Sequence, residues 1–390
     1  MYKKIIFTIC LIIGASILCC LSFTDKIHSP HKTTVQFASW GSESEISILK
    51  PILVEFEKEN PSIRVEFLHI PQNYFQKIHL LFASNTSPDV IFINNQYLPI
   101  YANAGVLEDL SSYSKYFNYD KFYLKSINAM KWNNKIYAVP RDVSNLVIFY
   151  NKDIFDKYGV SYPKGDWTFN DFLKTSQKLT KKPDLFGISF EEEPLFVLPY
   201  LASAGDNIQP EKLADIKGKN GLKFYANLRN KYHVAPQKDE SASATMAQMF
   251  LQGHLAMQLS GRWLVPKYRQ EAKFHWDVVE FPHGKNGSVV PLDSSGWAIS
   301  KSSIHKKEAL KLVKYLSSKQ NSEKFTKSGL IVPARIDVAS SKVFLDGKSP
   351  KNSQVFLQTI KSSIPTPVSV NYREVTDNFK NNTEYLFNQK

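Results

Sequence analysis

The fold is best introduced by residues 250–263, which read Phe250-Leu-Gln-Gly-His-Leu-Ala-Met-Gln-Leu-Ser-Gly-Arg-Trp263. The pattern predicts a helix end, a glycine turn, a short buried strand, a glycine loop and the start of a new helix. Ligands of α/β sheets bind at loops beyond strand carboxyl ends. Gly261 would admit a ligand to the backbone and Trp263 offers a flat apolar face. These residues alone support a binding corner and a plain core equally.

The composition predicts a folded protein of two lobes. The chain has 390 residues, of which 43% are hydrophobic and 22% charged. This length exceeds the size at which single cores usually stop growing, and the balance excludes disorder as the main state.

The amino terminus predicts export. Lys3 and Lys4 precede an uncharged, largely apolar run at 5–23. We interpret 1–23 as a signal peptide or membrane anchor and 24–32 as a linker. The expected location is the periplasm or the outer face of the cytoplasmic membrane.

All three cysteines, Cys10, Cys19 and Cys20, lie in this amino-terminal region. The folded part therefore has no disulfide framework, no thiolate catalysis and no cysteine metal site. Cys19 or Cys20 is a candidate lipidation site, although the preceding residues fit the small-residue cleavage pattern poorly.

The net charge of +13 raises the question of an anionic partner such as nucleic acid or lipid. The lysines are spread along the chain, and the dense run at 301–314 alternates with apolar residues at helical spacing. A solvated helix face explains this run better, so no nucleic-acid partner is predicted.

Strands and helices alternate in the first part of the chain. The pattern predicts a strand at 33–39, a helix from Ser42, a strand at 63–68, a helix at 74–83 and a strand at 88–93. Right-handed crossovers make this βαβαβ series a doubly wound lobe with helices on both faces.

A second α/β series and three crossings between lobes follow. The series comprises a strand at 146–150, helices at 154–157 and 169–178, and a strand at 186–190. Extended segments at 137–143, 296–300 and 330–335 are interpreted as the crossings, and the last two helices are predicted around 354–360 and 371–386.

No catalytic or cofactor motif is present. The chain lacks the Gly-x-Ser-x-Gly elbow, the phosphate-binding loop and the dinucleotide fingerprint. Neither a metal nor a cofactor is predicted. Glu191, Glu192 and Glu193 offer an acid and a base for glycoside hydrolysis, but three adjacent acids more often form a solvated turn.

Four tryptophans stand where strands end or where the lobes meet: Trp40, Trp167, Trp263 and Trp297. Sugar rings have apolar faces that stack on flat side chains, while their hydroxyls need polar partners. Each tryptophan alone is as typical of a core as of a site, but four such positions favour a sugar site.

Several segments, in this order, resemble the extracellular solute-binding proteins of carbohydrate importers. They are residues 56–65, 87–91, the Tyr-Asn-Lys-Asp-Ile-Phe segment within 150–159, 250–263 and 297–300. The resemblance implies a non-enzymatic receptor of the two-lobed type II periplasmic-binding-protein fold, in which each lobe is a doubly wound sheet and several hinge crossings join the lobes. It further implies a monomer that closes around a ligand and presents it to an ABC permease with a cytoplasmic ATPase.

The resemblance also implies boundaries and site residues. Lobe 1 is expected to comprise 33–141 plus 298–335, and lobe 2 to comprise 142–297 plus 336–390. The expected ligand-binding residues are Trp40, Ser42, Glu43, Asn94, Gln96, Asp142, Asn145, Trp167, Gly261, Trp263, Trp297, Arg335 and Tyr372.

The ligand class stays open between a neutral sugar and a phosphorylated polyol such as glycerol 3-phosphate. Arg141, Arg262 and Arg335 have the chemistry to clamp a phosphate. Leu195 stands where the maltose-binding relatives have a tyrosine, which argues against a long maltodextrin. We favour a neutral mono- or oligosaccharide.

Overall fold

The computed structural model of the protein describes residues 32–241 and 244–389. The expected signal peptide or anchor, most of the linker, and Cys19 and Cys20 lie outside these residues. Among the described helices, none combines the length and apolar character needed to cross a membrane.

Strands and helices alternate over most of the described chain. The strands are β1 (Thr33–Ser39), β2 (Ile63–His69), β3 (Val90–Asn94), β4 (Lys131–Trp132), β5 (Lys135–Ile136), β6 (Ala138–Asn151), β7 (Met257–Gly261), β8 (Trp276–Val279), β9 (Pro291–Ile299), β10 (Val332–Pro333) and β11 (Ile364–Pro365). The helices of the first half are α1 (Glu43–Glu59), α2 (Tyr74–Ala83), α3 (Leu98–Asn103), α4 (Ser114–Phe117), α5 (Leu124–Ala129), α6 (Lys152–Lys157), α7 (Phe169–Leu179) and α8 (Pro194–Ala204). Those of the second half are α9 (Pro210–Leu213), α10 (Asn220–Asn230), α11 (Lys238–Ser241), α12 (Met246–Leu251), α13 (Val265–Glu271), α14 (Lys306–Leu316), α15 (Lys319–Lys327), α16 (Ile336–Ala339), α17 (Gln354–Ser362) and α18 (Tyr372–Phe387).

The predicted βαβαβ series is confirmed. Ser42 caps α1, because its side chain accepts a hydrogen bond from the backbone of Glu45. The helix buries an apolar stripe that includes Ile46 and Phe56 and ends at Glu59, two residues before Pro61. Strand β1 pairs in parallel with both β2 and β3, so the carboxyl ends of these strands meet at one edge.

A mixed sheet in the order β10-β6-β9-β3-β1-β2 forms the centre of the molecule. Strand β9 runs antiparallel to both β3 and β6. Gly296 on β9 is required here, since a Cβ atom at this position would lie 2.2 Å from the carbonyl oxygen of Val139 on β6. The α/β fold of the periplasmic binding proteins is thus present, with a mixed rather than purely parallel sheet.

Strand β6 is longer than predicted. The sequence indicates a crossing at 137–143 and a separate strand at 146–150, whereas the structure has one strand of 14 residues. Its first half pairs with β9 and β10, and its second half pairs antiparallel with β7 and β8. One strand therefore belongs to both halves of the molecule.

The β6–β9 pairing contains a bulge at Arg141. Pro140 lies opposite Gly296 and Asp142 lies opposite Ser295, so Arg141 is the extra residue. A bulge tolerates the missing N–H of a proline and changes the direction of the neighbouring side chain. This irregularity explains how a proline is accommodated in a central strand.

The predicted strand at 186–190 does not form. Phe186 makes only an isolated bridge to Leu255. The backbone of Gly187 lies so close to α7 that a Cβ atom would come within 2.3 Å of the carbonyl oxygen of Ser176. Backbone hydrogen bonds to separate partners, from Gly187 to Val234 and from Ser189 to Met257, replace regular sheet pairing at this point.

Two of the four tryptophans lie in cores. Trp297 has 0% of its surface exposed, and its ring centroid lies 4.6 Å from that of Phe92. Trp167 is 6% exposed, and its indole donates a hydrogen bond of 3.0 Å to the carbonyl oxygen of Glu280. Contrary to the prediction, neither indole has the exposed face that ring stacking requires.

Candidate functional site

A cavity of about 200 Å³ lies beside β6 near its bulge. We call it the hinge cavity. Its walls come from both sequence halves, with apolar and charged side chains together. The lining residues are Trp40, Glu45, Arg141, Asp142, Val143, Ser144, Arg262, Trp263, Ser295, Leu330, Ile331 and Val332.

Trp263 forms one wall of the hinge cavity, and Gly261 makes room for its ring. Trp263 lies in a 3₁₀ turn (Arg262–Leu264) directly after β7, and 37% of its surface is exposed. A Cβ atom at position 261 would lie 1.8 Å from the indole ring. Only glycine therefore leaves room for the ring in this orientation, which explains why the two residues occur together.

Trp40, directly after β1, forms another wall. Its ring centroid lies 4.2 Å from that of Phe92 and 5.3 Å from that of Phe75. These contacts fix the indole at the edge of the sheet where the parallel strands end. Trp40 is partly buried and lines the cavity, as a stacking residue must.

Three charged side chains form a network in the cavity wall. Arg141 donates hydrogen bonds to Glu45 and to Asp142, the latter over 2.7 Å, and its guanidinium carbon lies 4.1 Å from the centroid of the Phe92 ring. Burial opposes the charge of Arg141, but the two carboxylates outweigh burial and raise the pKa of Arg141. Burial raises the pKa of Asp142.

The sequence did not identify Glu45. It stands three residues after Ser42, the spacing of a capping box, which predicts a purely structural role at the start of α1. In the structure its backbone N–H is capped by Ser42, while its carboxylate turns toward Arg141.

A second cavity of about 880 Å³, the aromatic groove, lies between α2, α3 and the start of α18. Phe75 and Tyr97 are stacked in it, with ring centroids 3.8 Å apart and planes 8° apart. Tyr372 lies edge-on to Tyr97 at 6.1 Å. Because Trp40 contacts Phe75, aromatic side chains continue from the hinge cavity into the groove.

Two predicted polar residues shape the turn after β3. Asn94 accepts a hydrogen bond of 3.1 Å from the backbone N–H of Tyr97. Gln96 donates to Asp293 over 3.0 Å, and burial raises the pKa of this carboxyl. Asn94 and Gln96 thus hold Tyr97 in place beside Phe75.

Besides Asn94, Gln96, Trp167, Gly261, Trp297 and Tyr372, four more predicted residues line neither cavity, contrary to expectation. Ser42 acts as the helix cap and Glu43 points to solvent. Asn145 is buried and donates to the carbonyl oxygen of Phe356 over 2.8 Å. Arg335 is bound by Asp337, with Nη2 and Oδ2 2.8 Å apart.

Arg262, one of the three arginines considered for phosphate binding, is 2% exposed. Its guanidinium carbon lies 4.1 Å from the ring centroid of Phe344, and Nη1 donates to Ser353 over 3.3 Å. Burial lowers the pKa of Arg262 to about 9. One hydrogen bond and an aromatic ring hold this side chain, while its Nε and Nη2 atoms are buried without a hydrogen-bond partner among the described residues.

The acidic run at 191–193 is mostly engaged in ion pairs. Glu192 lies 2.8 Å from Arg229, and Glu193 lies 2.7 Å from Lys380. Glu191 differs, because burial, assisted by the charge of Glu193, raises its pKa to about 7. Within the described residues, no group of three His, Cys, Asp or Glu side chains has the arrangement of a metal site.

The raised pKa of Glu191 gives a testable pH dependence. The fold favours the protonated form, so the stability that this group contributes is complete below its ordinary pKa of 4.5 and is lost as the pH rises to about 7. Glu191→Gln keeps the neutral shape. We expect the variant to exceed the wild type by about 1 to 3 kcal/mol in free energy of unfolding at pH 8.

At pH 4.5 the two proteins should have the same stability by urea denaturation. An equal difference at both pH values would contradict the assignment, because a packing effect does not depend on pH.

Comparison with known proteins places these features in a family. Residues 40–323 match the family of bacterial extracellular solute-binding proteins. The multiple sugar-binding protein of Streptococcus mutans is 27% identical over 83% of this chain and 78% of its own length. The maltodextrin-binding protein MdxE of Bacillus subtilis is 26% identical over 82% of this chain and 77% of its own length.

Solved structures agree with this result. The ABC substrate-binding protein Lmo0181 of Listeria monocytogenes, solved with cycloalternan, superimposes with a TM-score of 0.84 and 27% identity over 92% of this chain and 94% of that one. A maltose-bound binding protein of T. maritima gives a TM-score of 0.78 at 22% identity, covering 91% and 99% of the two chains, which supports the fold.

The family match covers most of the chain, and the fold agrees with it. The protein therefore belongs to the bacterial extracellular solute-binding proteins, the exported, non-enzymatic receptors of ABC importers.

Proposed function

We propose that this receptor binds a neutral sugar between its two lobes and delivers it to an ABC permease by closing around it. The observation that carries the proposal is the hinge cavity, where the partly exposed indole of Trp263 and the charged network lie together. An apolar face for stacking beside hydrogen-bonding groups is the arrangement that a sugar ring requires.

The proposed lobes are 33–141 plus 298–335 and 142–297 plus 336–390. Strands β6 and β9 both extend across the proposed boundary. Closure would therefore twist two paired strands near the Arg141 bulge. The ligand stabilises the closed form only as far as it binds that form more tightly than the open one.

The aromatic groove favours a ligand of more than one ring. The groove has a volume of about 880 Å³ and contains the stacked rings of Phe75 and Tyr97. It is connected to the hinge cavity by the contact between Trp40 and Phe75. The names and bound ligands of the Streptococcus and Listeria relatives, multiple sugars and cycloalternan, support the same class.

A phosphorylated polyol is the less favoured ligand. Carboxylates already hold the guanidinium groups of Arg141 and Arg335. A phosphate would have to compete with these ion pairs, whereas a neutral sugar accepts hydrogen bonds without breaking them.

The proposal also covers the oligomeric state, the location and the partner of the receptor in the cell. The receptor would act as a monomer, in the periplasm or attached to the outer face of the cytoplasmic membrane. Its partner would be the membrane permease that works with a cytoplasmic ATPase.

The direct test is thermal unfolding of residues 33–390 with a panel of mono- and oligosaccharides and glycerol 3-phosphate. A ligand that binds only the folded state at a hundred times its Kd adds about 2.7 kcal/mol of stability. We expect at least one neutral sugar to raise the Tm and to be recovered unchanged by chromatography. A response to glycerol 3-phosphate alone, or hydrolysis of a sugar, would refute the proposal.

A further inference from the structure

Most of the net positive charge of the chain is concentrated in one segment. Residues 301–351 contain eleven lysines and one arginine against four acidic residues, which leaves +8 of the total of +13. This segment includes α14, α15 and the loop at 342–348. Such a concentration creates a local positive potential that attracts anions.

Four of these lysines surround one concave site, which we call the lysine crevice. It has a volume of about 530 Å³ and lies between α15 and the loop at 342–348. Lys324 and Lys327 line it from the helix, Lys342 and Lys348 line it from the loop, and Val343 adds an apolar surface.

The acidic side chains in and near the crevice are paired with Arg269, Lys319 and Lys324. Two hydrogen bonds of 3.0 Å from Arg269 hold Asp346, and Glu323 lies 3.9 Å from Lys319. Glu55 of α1 pairs with Lys324.

Three lysines of the crevice have no such partner. Across residues 32–241 and 244–389, no carboxylate lies within 4.0 Å of the ammonium groups of Lys327, Lys342 or Lys348. Three like charges around one concavity repel one another, and a bound anion relieves this repulsion.

Helix α14, which neighbours α15, also carries several exposed lysines. Lys307, Lys311 and Lys314 are exposed and follow one another at helical spacing on α14, which packs against α15. Like charges at this spacing destabilise a helix, although Lys314 also lies 4.1 Å from the centroid of the Tyr116 ring. An anionic partner larger than one ion would account for both groups of lysines.

We propose that the lysine crevice binds a phosphate-rich chain, at a site separate from the sugar cavities. Lysine ammonium groups bind phosphates as point charges without a fixed geometry, which suits repeated phosphates along a flexible chain. A flat bilayer surface cannot enter a concave crevice, whereas a chain can follow it.

The test measures binding of inorganic polyphosphate to the protein at two salt concentrations. Lys327, Lys342 and Lys348 are changed to glutamine together. Lys174, Lys178 and Lys181, equally exposed lysines on and after α7, provide the matched control. We expect the crevice variant to lose roughly a hundredfold in affinity, about fivefold per lysine, and the control to lose much less. Binding should also weaken as salt rises.

Sugar affinity should be unchanged in the crevice variant and its Tm should not fall, which separates this proposal from the proposed function. Equal losses in both variants would mean diffuse attraction and would overturn the proposal. So would orthophosphate binding as tightly as the chain, or binding to phosphatidylglycerol vesicles but not to polyphosphate.

Discussion

Replacing Arg141 by methionine is expected to lower the free energy of unfolding by about 3 to 5 kcal/mol. The carboxylates of Glu45 and Asp142 are nearly buried, and both are bound to this guanidinium. Without it they remain buried as uncompensated charges. Urea denaturation at pH 7 in the absence of sugar measures the loss directly.

A variant that removes the charges together separates the network from simple packing. Arg141→Met combined with Glu45→Gln and Asp142→Asn should recover most of the lost stability, because neutral groups replace the unpaired carboxylates. If the triple variant is as unstable as Arg141→Met, the loss comes from the packing of Arg141 over Phe92 instead.

Trp263→Ala is expected to weaken sugar binding by about 1.5 to 4 kcal/mol, which is roughly 10- to 1000-fold in Kd, through lost stacking and apolar burial. The fold should remain intact because the indole is partly exposed at the end of β7. Titration calorimetry with the best sugar of the panel gives the affinity. Tyr385→Ala, which removes a 79% exposed ring that lines neither cavity, is the control.

Gly261→Ala tests the position of the ring while keeping the indole. The added Cβ atom would overlap the ring, so Trp263 must move from the wall of the hinge cavity. A loss of affinity similar to that of Trp263→Ala is expected. Unchanged affinity in both variants would remove this corner from the sugar site.

Local signals explain what could be predicted from the sequence. The start of α1 follows from the Ser42 cap, and the helical period fixes its buried stripe, so its bounds agree with the structure. The bounds predicted for α2, 74–83, also agree with the structure, although no side chain caps its start. The continuity of β6 could not be predicted, because it depends on pairing with β9 and β7, which lie more than a hundred residues away along the chain.

The tryptophans of the candidate site show that the sequence does not separate buried rings from exposed ones. Trp263 and Trp297 both follow a glycine near a strand. Trp297 still belongs to β9, where residues 296–299 are all buried, whereas Trp263 lies beyond the end of β7. A shift of a few residues across a strand end thus separates a buried ring from an exposed one, and sequence patterns rarely locate strand ends so closely.

The aromatic residues of the groove could have been predicted from the sequence. Phe75 and Tyr97 follow β2 and β3 at the edge where the parallel strands end, the position that singled out Trp40. Glu45 was harder to find, because its partner Arg141 lies in a bulge whose existence depends on the register of β6 and β9.

The position of β9 in the sheet also determines when the molecule can fold. Phe92 of β3 pairs with Trp297 of β9, so the centre of the sheet joins residues about two hundred positions apart. A chain synthesised from its amino terminus cannot form the centre of this sheet until residue 299 is available, and such distant contacts form slowly. We expect the growing chain to stay unfolded for most of its synthesis, a state in which it can still be threaded across a membrane.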